Sequence, residues 1–171
     1  EVNPPAGSLD RTSEELVSFV PMASVSENGA LINHEMRPLS EVAKGFTSFE
    51  RGDVVLAKIT PCMENGKAAL LSNLSTKRGF GSTEFHVLRP RAGVDPRFVF
   101  YLVWNQEFRN EAAKHMTGSA GQKRIPTAYL KQVKVPSFTV DQQRRIADIL
   151  DKADAIRRKR KEAIALTEEL L

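Results

Sequence analysis

The sequence predicts a mixed α/β (α+β) fold in which a small globular domain, residues 1–138, precedes one long helix, residues 139–171. Hydrophobic residues make up 41% of the 171-residue chain, which is enough for one real core. Short β-branched and aromatic runs bounded by Gly, Pro and Asn predict a mixed β-sheet with flanking helices. The C-terminal segment contains neither Gly nor Pro, which favours a continuous helix.

The C-terminal helix has a marked start and a regular apolar stripe. Thr139 and Gln142 match a capping box, in which the hydroxyl and the amide each satisfy a backbone N–H group. At about 1.5 Å per residue the helix would reach roughly 45 to 50 Å, beyond the width of the domain before it. The stripe follows a seven-residue spacing and consists mainly of Ile146, Ile149, Ala153, Ile156, Ala163 and Leu170.

Two kinds of cover are open for the first turns of this helix: its own domain, or another helix. Beyond Ile156 no other element of the chain is left to cover the stripe. We therefore expect the far end to pair in a coiled-coil-like manner with a helix from another copy or another protein. The hypothesis is an antiparallel or mixed pair, because Arg160 and Thr167 disfavour a simple parallel zipper.

Positive charge is concentrated in the middle of the chain. Residues 1–50 hold three Lys and Arg against eight acidic residues, residues 51–140 hold fourteen against six, and residues 141–171 hold eight against seven. A basic segment suits a polyanionic ligand, because each cation near a phosphate releases condensed counterions. Charge alone is equally compatible with an ordinary solvated surface.

Composition and spacing argue against several classes of protein. A single cysteine, Cys62, excludes an internal disulfide framework and fits a reducing compartment, so we expect a cytoplasmic location. No apolar run reaches the roughly 18 residues needed to cross a bilayer. His34, His86 and His115 lie far apart in the sequence, with no acidic residue at a metal-ligand spacing. We expect no catalytic residue, metal or cofactor in this chain, which also looks trimmed from something longer.

The globular part is predicted to alternate short strands and helices. Pro21 predicts an edge position or a bulge for the first strand, and the β-rich run at 54–59 predicts a central strand. Asp95-Pro96 is a strong helix start, with a capping side chain and a proline at the first helical position. The predicted elements are strands at 17–25, 54–59, 67–71, 82–89 and 131–135, helices at 38–44 and 96–116, and a helical turn after Ile125-Pro126.

Two segments of the globular part carry polar groups that a ligand could meet. In the strand at 82–89, Glu84 and His86 alternate with apolar neighbours, which predicts one polar face. Residues 117–124, Thr-Gly-Ser-Ala-Gly-Gln-Lys-Arg, predict a loop suited to close approach. Glycine lets backbone N–H groups come near a ligand, and Gln122, Lys123 and Arg124 supply donors for phosphates and base edges.

Two other functions are compatible with parts of the sequence. Asn3-Pro4-Pro5 looks like the motif with which amino-methyltransferases hold a flipped base, so a fragment of an adenine methyltransferase is one alternative. Ala6 stands where that motif has an aromatic residue, and no Gly-rich loop for a methyl donor is present. A protein-binding scaffold without DNA contact is the second alternative, with the basic cluster 157–161 as a docking patch or as a solvated helix face.

The order of several segments resembles the specificity subunit of type I restriction-modification enzymes. The resemblance spans nearly the whole chain, from about Val17 to the C-terminus, and is specific as a set. It implies a non-catalytic target recognition domain followed by a spacer helix. The segments are Gly-Asp-Val-Val-Leu-Ala-Lys-Ile-Thr-Pro-Cys at 52–62, Glu-Asn-Gly-Lys at 64–67, Gly-Phe-Gly-Ser-Thr-Glu-Phe-His-Val-Leu-Arg-Pro at 79–90, the loop 116–126, and Gln-Gln-Arg-Arg-Ile-Ala at 142–147.

The resemblance also implies partners. In that family each recognition domain reads one half of a split target in double-stranded DNA, and two spacer helices pair antiparallel to fix the distance between the halves. Methyltransferase (M) subunits that bind S-adenosylmethionine, and restriction (R) subunits that use ATP and Mg, complete the enzyme. This chain would be half of a longer subunit, or a half-sized subunit that forms a homodimer and reads an inverted repeat.

The residues expected to contact DNA lie in the basic middle segment, where phosphate contacts would set register and amide or guanidinium groups would choose bases. An equally weighted alternative is that Ser82, Thr83 and Glu84 tie the sheet together and only the flanking loops touch DNA. The expected DNA-binding residues are Lys58, Thr60, Lys67, Lys77, Arg78, Ser82, Thr83, Gln122, Lys123 and Arg124.

Overall fold

The computed structural model describes residues 1–119 and 121–169 and confirms the mixed α+β class. The strands are β1 (Leu16–Val20), β2 (Glu35–Pro38), β3 (Thr47–Glu50), β4 (Val54–Ala57), β5 (Ala68–Leu70), β6 (Arg78–Gly81) and β7 (Phe85–Leu88). The helices are α1 (Leu39–Val42), α2 (Pro96–Trp104), α3 (Gln106–Lys114), α4 (Thr127–Gln132) and α5 (Val140–Glu169), and a short 3-10 turn spans Met22–Ser24.

The strands form two sheets, where the sequence predicted one. The first has four strands in the order β2-β1-β6-β3 and is mixed, because β1 and β6 are parallel while the other neighbours are antiparallel. The second has the order β5-β4-β7 and is antiparallel throughout. The strand predicted at 82–89 begins only at Phe85, as β7, and Arg78–Gly81 before it form β6, a strand that was not predicted. Residues 82–84 carry the chain from β6 in one sheet to β7 in the other.

Pro21 suggested an edge position or a bulge for the first strand, but the structure places this strand in the interior of a sheet. β1 lies between β2 and β6, and Pro21 only ends it, since the 3-10 turn follows at once. The edge strands β2 and β3, each four residues long, were not predicted from the sequence. Their polar residues and the proline that ends β2 hide the strand pattern.

The three-stranded sheet is buried on both faces. Val54 and Leu56 of β4 pack toward the helices, in a cluster with Phe100 of α2. Val55, on the opposite face, packs with Val20 and Phe49 of the four-stranded sheet. A strand covered on both sides is apolar at every position, which explains why β4 was predicted correctly as a central strand.

The same burial overturns the prediction of a polar face on the strand containing His86. All four residues of β7 are buried, and His86 itself is only 3% exposed. Val87 faces the four-stranded sheet, while Leu88 faces the helices. The alternation of polar and apolar residues therefore reflects a hydrogen-bonded histidine inside the fold, as described below.

The helix predicted at 96–116 is broken at Asn105. Asp95 caps α2 as expected, accepting the Arg97 and Phe98 N–H groups at 2.8 and 3.4 Å. Asn105 has an extended ψ of 136° and its side chain caps a second helix, α3, by accepting the Glu107 N–H group at 2.7 Å. An asparagine that hydrogen-bonds the backbone ahead of it competes with helix continuation, which is the physical reason for the break.

The prediction of a strand at 131–135 is also wrong. α4 continues to Gln132, and residues 133–139 form no regular element. Pro136 lies in this irregular segment, where it leads directly into the long helix.

The long helix begins with the predicted capping box. The Thr139 N–H group donates to Gln142 Oε1 at 2.9 Å, and the Gln142 N–H group donates to Thr139 Oγ1 at 3.3 Å. α5 then packs against α2, and Ala147 of α5 is fully buried. Its first turns are therefore covered by their own domain.

A polar network holds α5 on α2. The Arg97 Nη1 atom donates to Asp148 and Asp151 at 2.7 Å each, and the Tyr101 hydroxyl donates to Asp151 at 2.6 Å. Gln143 Oε1 accepts the Asp95 N–H group at 2.9 Å. Since these bonds join side chains of two helices, they fix the direction in which α5 leaves the globular part.

The apolar stripe of α5 is mostly uncovered. Ile146 is half-buried against the domain, whereas Ile149 and Ile156 are 60% and 54% exposed, and Ala153 and Ala163 are exposed too. Leu170, the last residue of the expected pairing set, lies outside the described residues. Helix pairing and a domain boundary at residue 138 stay predictions.

We expect Tyr101→Phe to lower the free energy of unfolding by about 1 kcal/mol, because it removes one hydrogen bond to a carboxylate at the α2–α5 contact. The measurement is urea denaturation. Tyr129→Phe is the matched control, since the Tyr129 hydroxyl has no hydrogen bond within the part of the chain that the structure describes. Equal effects of both substitutions would contradict a specific role for the Tyr101–Asp151 bond.

Candidate nucleic-acid interface

Three segments beyond the ends of β4 and β7 lie side by side. The Lys58 N–H group donates to the Glu84 carbonyl, and the Thr60 N–H group donates to the Lys123 carbonyl, both at 2.9 Å. The Ile125 N–H group donates to the Lys58 carbonyl, also at 2.9 Å. We call residues 58–60, 82–84, 117–119 and 121–124 the loop surface. It contains seven of the ten residues expected to contact DNA, namely Lys58, Thr60, Ser82, Thr83, Gln122, Lys123 and Arg124.

The loop that ends at Arg124 is closed by its own backbone. Thr117 and Arg124 exchange two hydrogen bonds, at 3.0 and 2.8 Å, and the Gln122 N–H group donates to the Ser119 carbonyl at 3.0 Å. Gly118 has a φ of +128°, and a Cβ there would lie 2.8 Å from the Gln122 carbonyl oxygen, so this position requires glycine. Gln122 and Lys123 are exposed at the tip.

Some of the polar side chains on this surface have structural partners. The Thr60 hydroxyl donates to the Lys123 carbonyl at 3.2 Å, and Ser82 Oγ accepts the Glu84 N–H group at 3.2 Å. Thr83 is exposed between them. The bond between Ser82 and Glu84 holds the turn at residues 82–84, and which residues of this segment contact DNA stays a prediction.

Arg124 and Glu84 form a bidentate ion pair across the loop surface. Arg124 Nε donates to Glu84 Oε2 at 2.9 Å, and Nη2 donates to Oε1 at 2.8 Å. Arg124 Nη1 also donates to the Gln122 carbonyl at 3.0 Å. The hydrogen bond from Arg124 lowers the pKa of the Glu84 carboxyl below its usual value, so this acid is ionised at neutral pH.

Beneath the loop, a buried histidine connects it to the N-terminus of the chain. Val87 N–H donates to Asn3 Oδ1 at 2.9 Å, which orients the Asn3 amide so that its Nδ2 donates to His86 Nδ1 at 3.0 Å. His86 Nε2 therefore carries the proton and donates to the Ile125 carbonyl at 2.8 Å. Asn3 Nδ2 also donates to the Thr127 hydroxyl at 3.1 Å.

The contacts of Asn3 give it a structural role. Both ends of its amide are engaged within the fold, so the Asn3-Pro4-Pro5 segment secures β7 and α4. This role of Asn3 was not predicted from the sequence, and neither was the role of His86 as a support for the loop. The available signal was a lone histidine at an alternating position of an apolar strand.

The other three residues expected to contact DNA lie outside the loop surface. Lys67 Nζ donates to the Met22 carbonyl at 3.3 Å. Lys77 and Arg78 line a cavity of about 250 Å³ beside the four-stranded sheet, with Glu50 among its walls. Contact of these three residues with DNA stays a prediction.

The described ranges, 1–119 and 121–169, contain neither a candidate metal site nor a candidate membrane-spanning helix. No three His, Cys, Asp or Glu side chains in those ranges are grouped so that they could hold a metal ion. None of their helices is long and apolar enough to cross a membrane.

The fold joins a two-sheet α+β part, which carries the loop surface, to one long helix. The family model described as the type I restriction modification DNA specificity domain matches residues 11–166, and the chain belongs to this family.

Two curated relatives, both from Escherichia coli, are similar over most of the chain. The specificity subunit of the type I restriction enzyme EcoAI is 38% identical over 148 residues, which cover 85% of this chain and 25% of that protein. The EcoEI specificity subunit is 37% identical over 142 residues, covering 81% of this chain and 24% of that protein. The chain thus spans about a quarter of the length of these relatives.

Solved structures share the fold. A chain from a structural study of complex assembly and conformational transition of the type I R-M system superposes with a TM-score of 0.72 at 21% identity, covering 99% of this chain and 45% of that one. The HsdS subunit from Thermoanaerobacter tengcongensis gives a TM-score of 0.69 at 20% identity, with the same two coverages.

The histidine under the loop predicts a pH-dependent stability. Burial lowers the pKa of His86 below its ordinary value of 6.5. Below pH 6.5 the unfolded chain binds a proton that the folded chain does not, so stability falls with falling pH until the folded pKa is reached, by at most about 1.4 kcal/mol per pH unit.

The measurement is urea unfolding between pH 5 and pH 8. We expect His86→Gln to be less stable than the original chain at pH 8 but to lose less stability on acidification. An unchanged profile in His86→Gln would show that the buried imidazole is not responsible.

Proposed function

We propose that the loop surface reads one half of a bipartite DNA target as part of the specificity subunit of a type I restriction-modification enzyme. The observation that carries this proposal is the convergence of three chain segments, distant in sequence, into one polar and cationic surface supported by a buried sheet. Membership of the DNA specificity domain family supports the same function.

The side chains of the loop surface differ in what they offer to DNA. Lys58 and Lys123 are cations suited to phosphate contacts, which set the position of the protein on the duplex. The exposed amide of Gln122 can pair with the N6 and N7 groups of adenine, and the exposed hydroxyl of Thr83 can meet any base edge. We therefore assign base choice to Gln122 and Thr83, and register to the two lysines.

The uncovered stripe of α5 supports the second part of the proposal. Ile149, Ile156 and Ile164 are all more than half exposed on a helix whose start is fixed to the globular part. A second helix lying antiparallel on this stripe would bury these side chains, and the stiff pair would set the distance between two recognition domains. The second helix belongs to the other half of the same subunit or to another copy of this chain.

The chemistry of the enzyme is assigned to partner subunits. The relatives are specificity subunits, and we propose that this chain is likewise non-catalytic and binds no cofactor of its own. Methyltransferase subunits would supply S-adenosylmethionine binding, restriction subunits would supply ATP and Mg binding, and the assembly would work in the cytoplasm.

Substitutions at neighbouring loop positions test the proposal. We expect Lys123→Ala, measured in the full protein with its methyltransferase partner, to weaken binding to all DNA sequences. The slope of log affinity against log salt should become shallower by about 0.9, because one phosphate contact is lost. Gln122→Ala should instead lower the preference for target DNA about tenfold with little change in slope, because it removes a base contact.

Lys44→Ala is the matched control. Lys44 is exposed beside α1, on the side of the four-stranded sheet, and outside the loop surface. Its substitution should change neither the affinity nor the salt slope. If Lys123→Ala and Gln122→Ala behaved like Lys44→Ala while the unaltered protein bound its target, DNA would have to be read elsewhere on the chain.

A further inference from the structure

We infer that Glu84 is a positioning residue that holds Arg124 as a brace inside the loop surface, so that Gln122 and Lys123 meet the DNA while Arg124 does not. This inference rests on the proposed function. It assigns a role to an acidic residue in an otherwise cationic surface, and it assigns Arg124 to the support of the loop.

Glu84 is well placed to act as a fixed anchor. Its N–H group donates to Ser82 Oγ at 3.2 Å, and its carbonyl accepts the Lys58 N–H group at 2.9 Å. It directly precedes β7, whose four residues are buried. The carboxylate is therefore attached to one of the most rigid parts of the fold, and its side chain is only 26% exposed.

Arg124 uses every nitrogen of its guanidinium group within the chain. Nε and Nη2 donate to the two carboxylate oxygens of Glu84, and Nη1 donates to the Gln122 carbonyl. The side chain thus ties the tip of the loop to the turn at 82–84. A planar guanidinium with two parallel bonds to a carboxylate restricts both position and orientation, which a single lysine contact cannot do.

Direct contact of Arg124 with a phosphate would be unfavourable. Such a contact would break the bidentate pair and leave the ionised Glu84 carboxylate next to the negative charge of DNA. With the pair intact, the two charges cancel and the positive charge of the surface comes from Lys58 and Lys123. The brace also fixes the loop before DNA arrives, so less conformational entropy is lost on binding.

The two possible roles of Arg124 predict opposite results for Glu84→Gln. If Arg124 reads DNA, removing the competing acid should raise affinity and leave the ratio of target to non-target affinity unchanged or increased. If Arg124 is a brace, the loop loosens, and we expect that ratio to fall about fivefold while non-target binding is kept or strengthened. Both affinities are measured in the full protein with its methyltransferase partner.

Arg124→Lys provides the matched variant. The substitution keeps the positive charge but loses the bidentate geometry. If Arg124 is a brace, we expect about the same fivefold loss of target preference. The charge-reversed double variant, Glu84→Arg with Arg124→Glu, should recover preference relative to Glu84→Arg alone. A residue that contacts phosphate would not be rescued in this way, because the double variant places an acid at position 124.

Hydrogen exchange tests the brace without DNA. The amides of residues 117 and 124 donate to each other's carbonyls, and the amide of Thr60 donates to the Lys123 carbonyl. We expect Glu84→Gln and Arg124→Lys to speed exchange at these three amides about fivefold, with Val55 in the buried sheet unaffected. Faster exchange at Val55 as well would mark general destabilisation and would remove the specific role.

The outcomes separate the inference from the proposed function. Unchanged exchange at the three amides, or an unchanged or increased target preference in Glu84→Gln, overturns the brace. If the unaltered protein bound no DNA, the proposed function would fail, while the exchange rates would still decide whether Glu84 fixes the loop.

Discussion

The loop surface depends on the three-stranded sheet beneath it, which is buried on both faces. Because β4 is covered by the helices on one side and by the four-stranded sheet on the other, its direction is fixed, and so is the position of Lys58 and Thr60 just beyond its end. Backbone hydrogen bonds then transmit this order outward to Glu84 and Lys123. The sheet thereby fixes the positions of polar side chains that lie on irregular backbone, as the proposed contacts with base edges require.

The long helix has two parts with different environments. Its N-terminal part is fixed to α2 by Arg97, Tyr101 and the two aspartates at 148 and 151, so its direction is determined within this chain. Its C-terminal part exposes large apolar side chains, such as Ile164 at 60%, and its pairing with a second helix is proposed above. A rigid start and an uncovered end suit a spacer, since any partner helix is placed at a defined position relative to the loop surface.

Local signals in the sequence predicted several elements that depend on local physics, although the local cap at Asn105 was missed. The capping box at Thr139, the cap at Asp95 and the apolar run of β4 all involve neighbours within four residues, and each was confirmed. The prediction failed where tertiary contacts decide, as in the separation into two sheets and the burial of β7. Seven expected site residues converge, but the pairing of Arg124 with Glu84 spans 40 positions and has no local signature.

A DNA-reading role of the loop surface can be measured by hydrogen–deuterium exchange of the full protein in complex with the proposed methyltransferase partner, with and without target DNA. We expect target DNA to slow exchange in residues 58–60, 82–84 and 121–124, with smaller changes for non-target DNA. Slower exchange confined to other parts of the chain, such as residues 26–34 or the four-stranded sheet, would contradict a DNA-reading role for the loop surface.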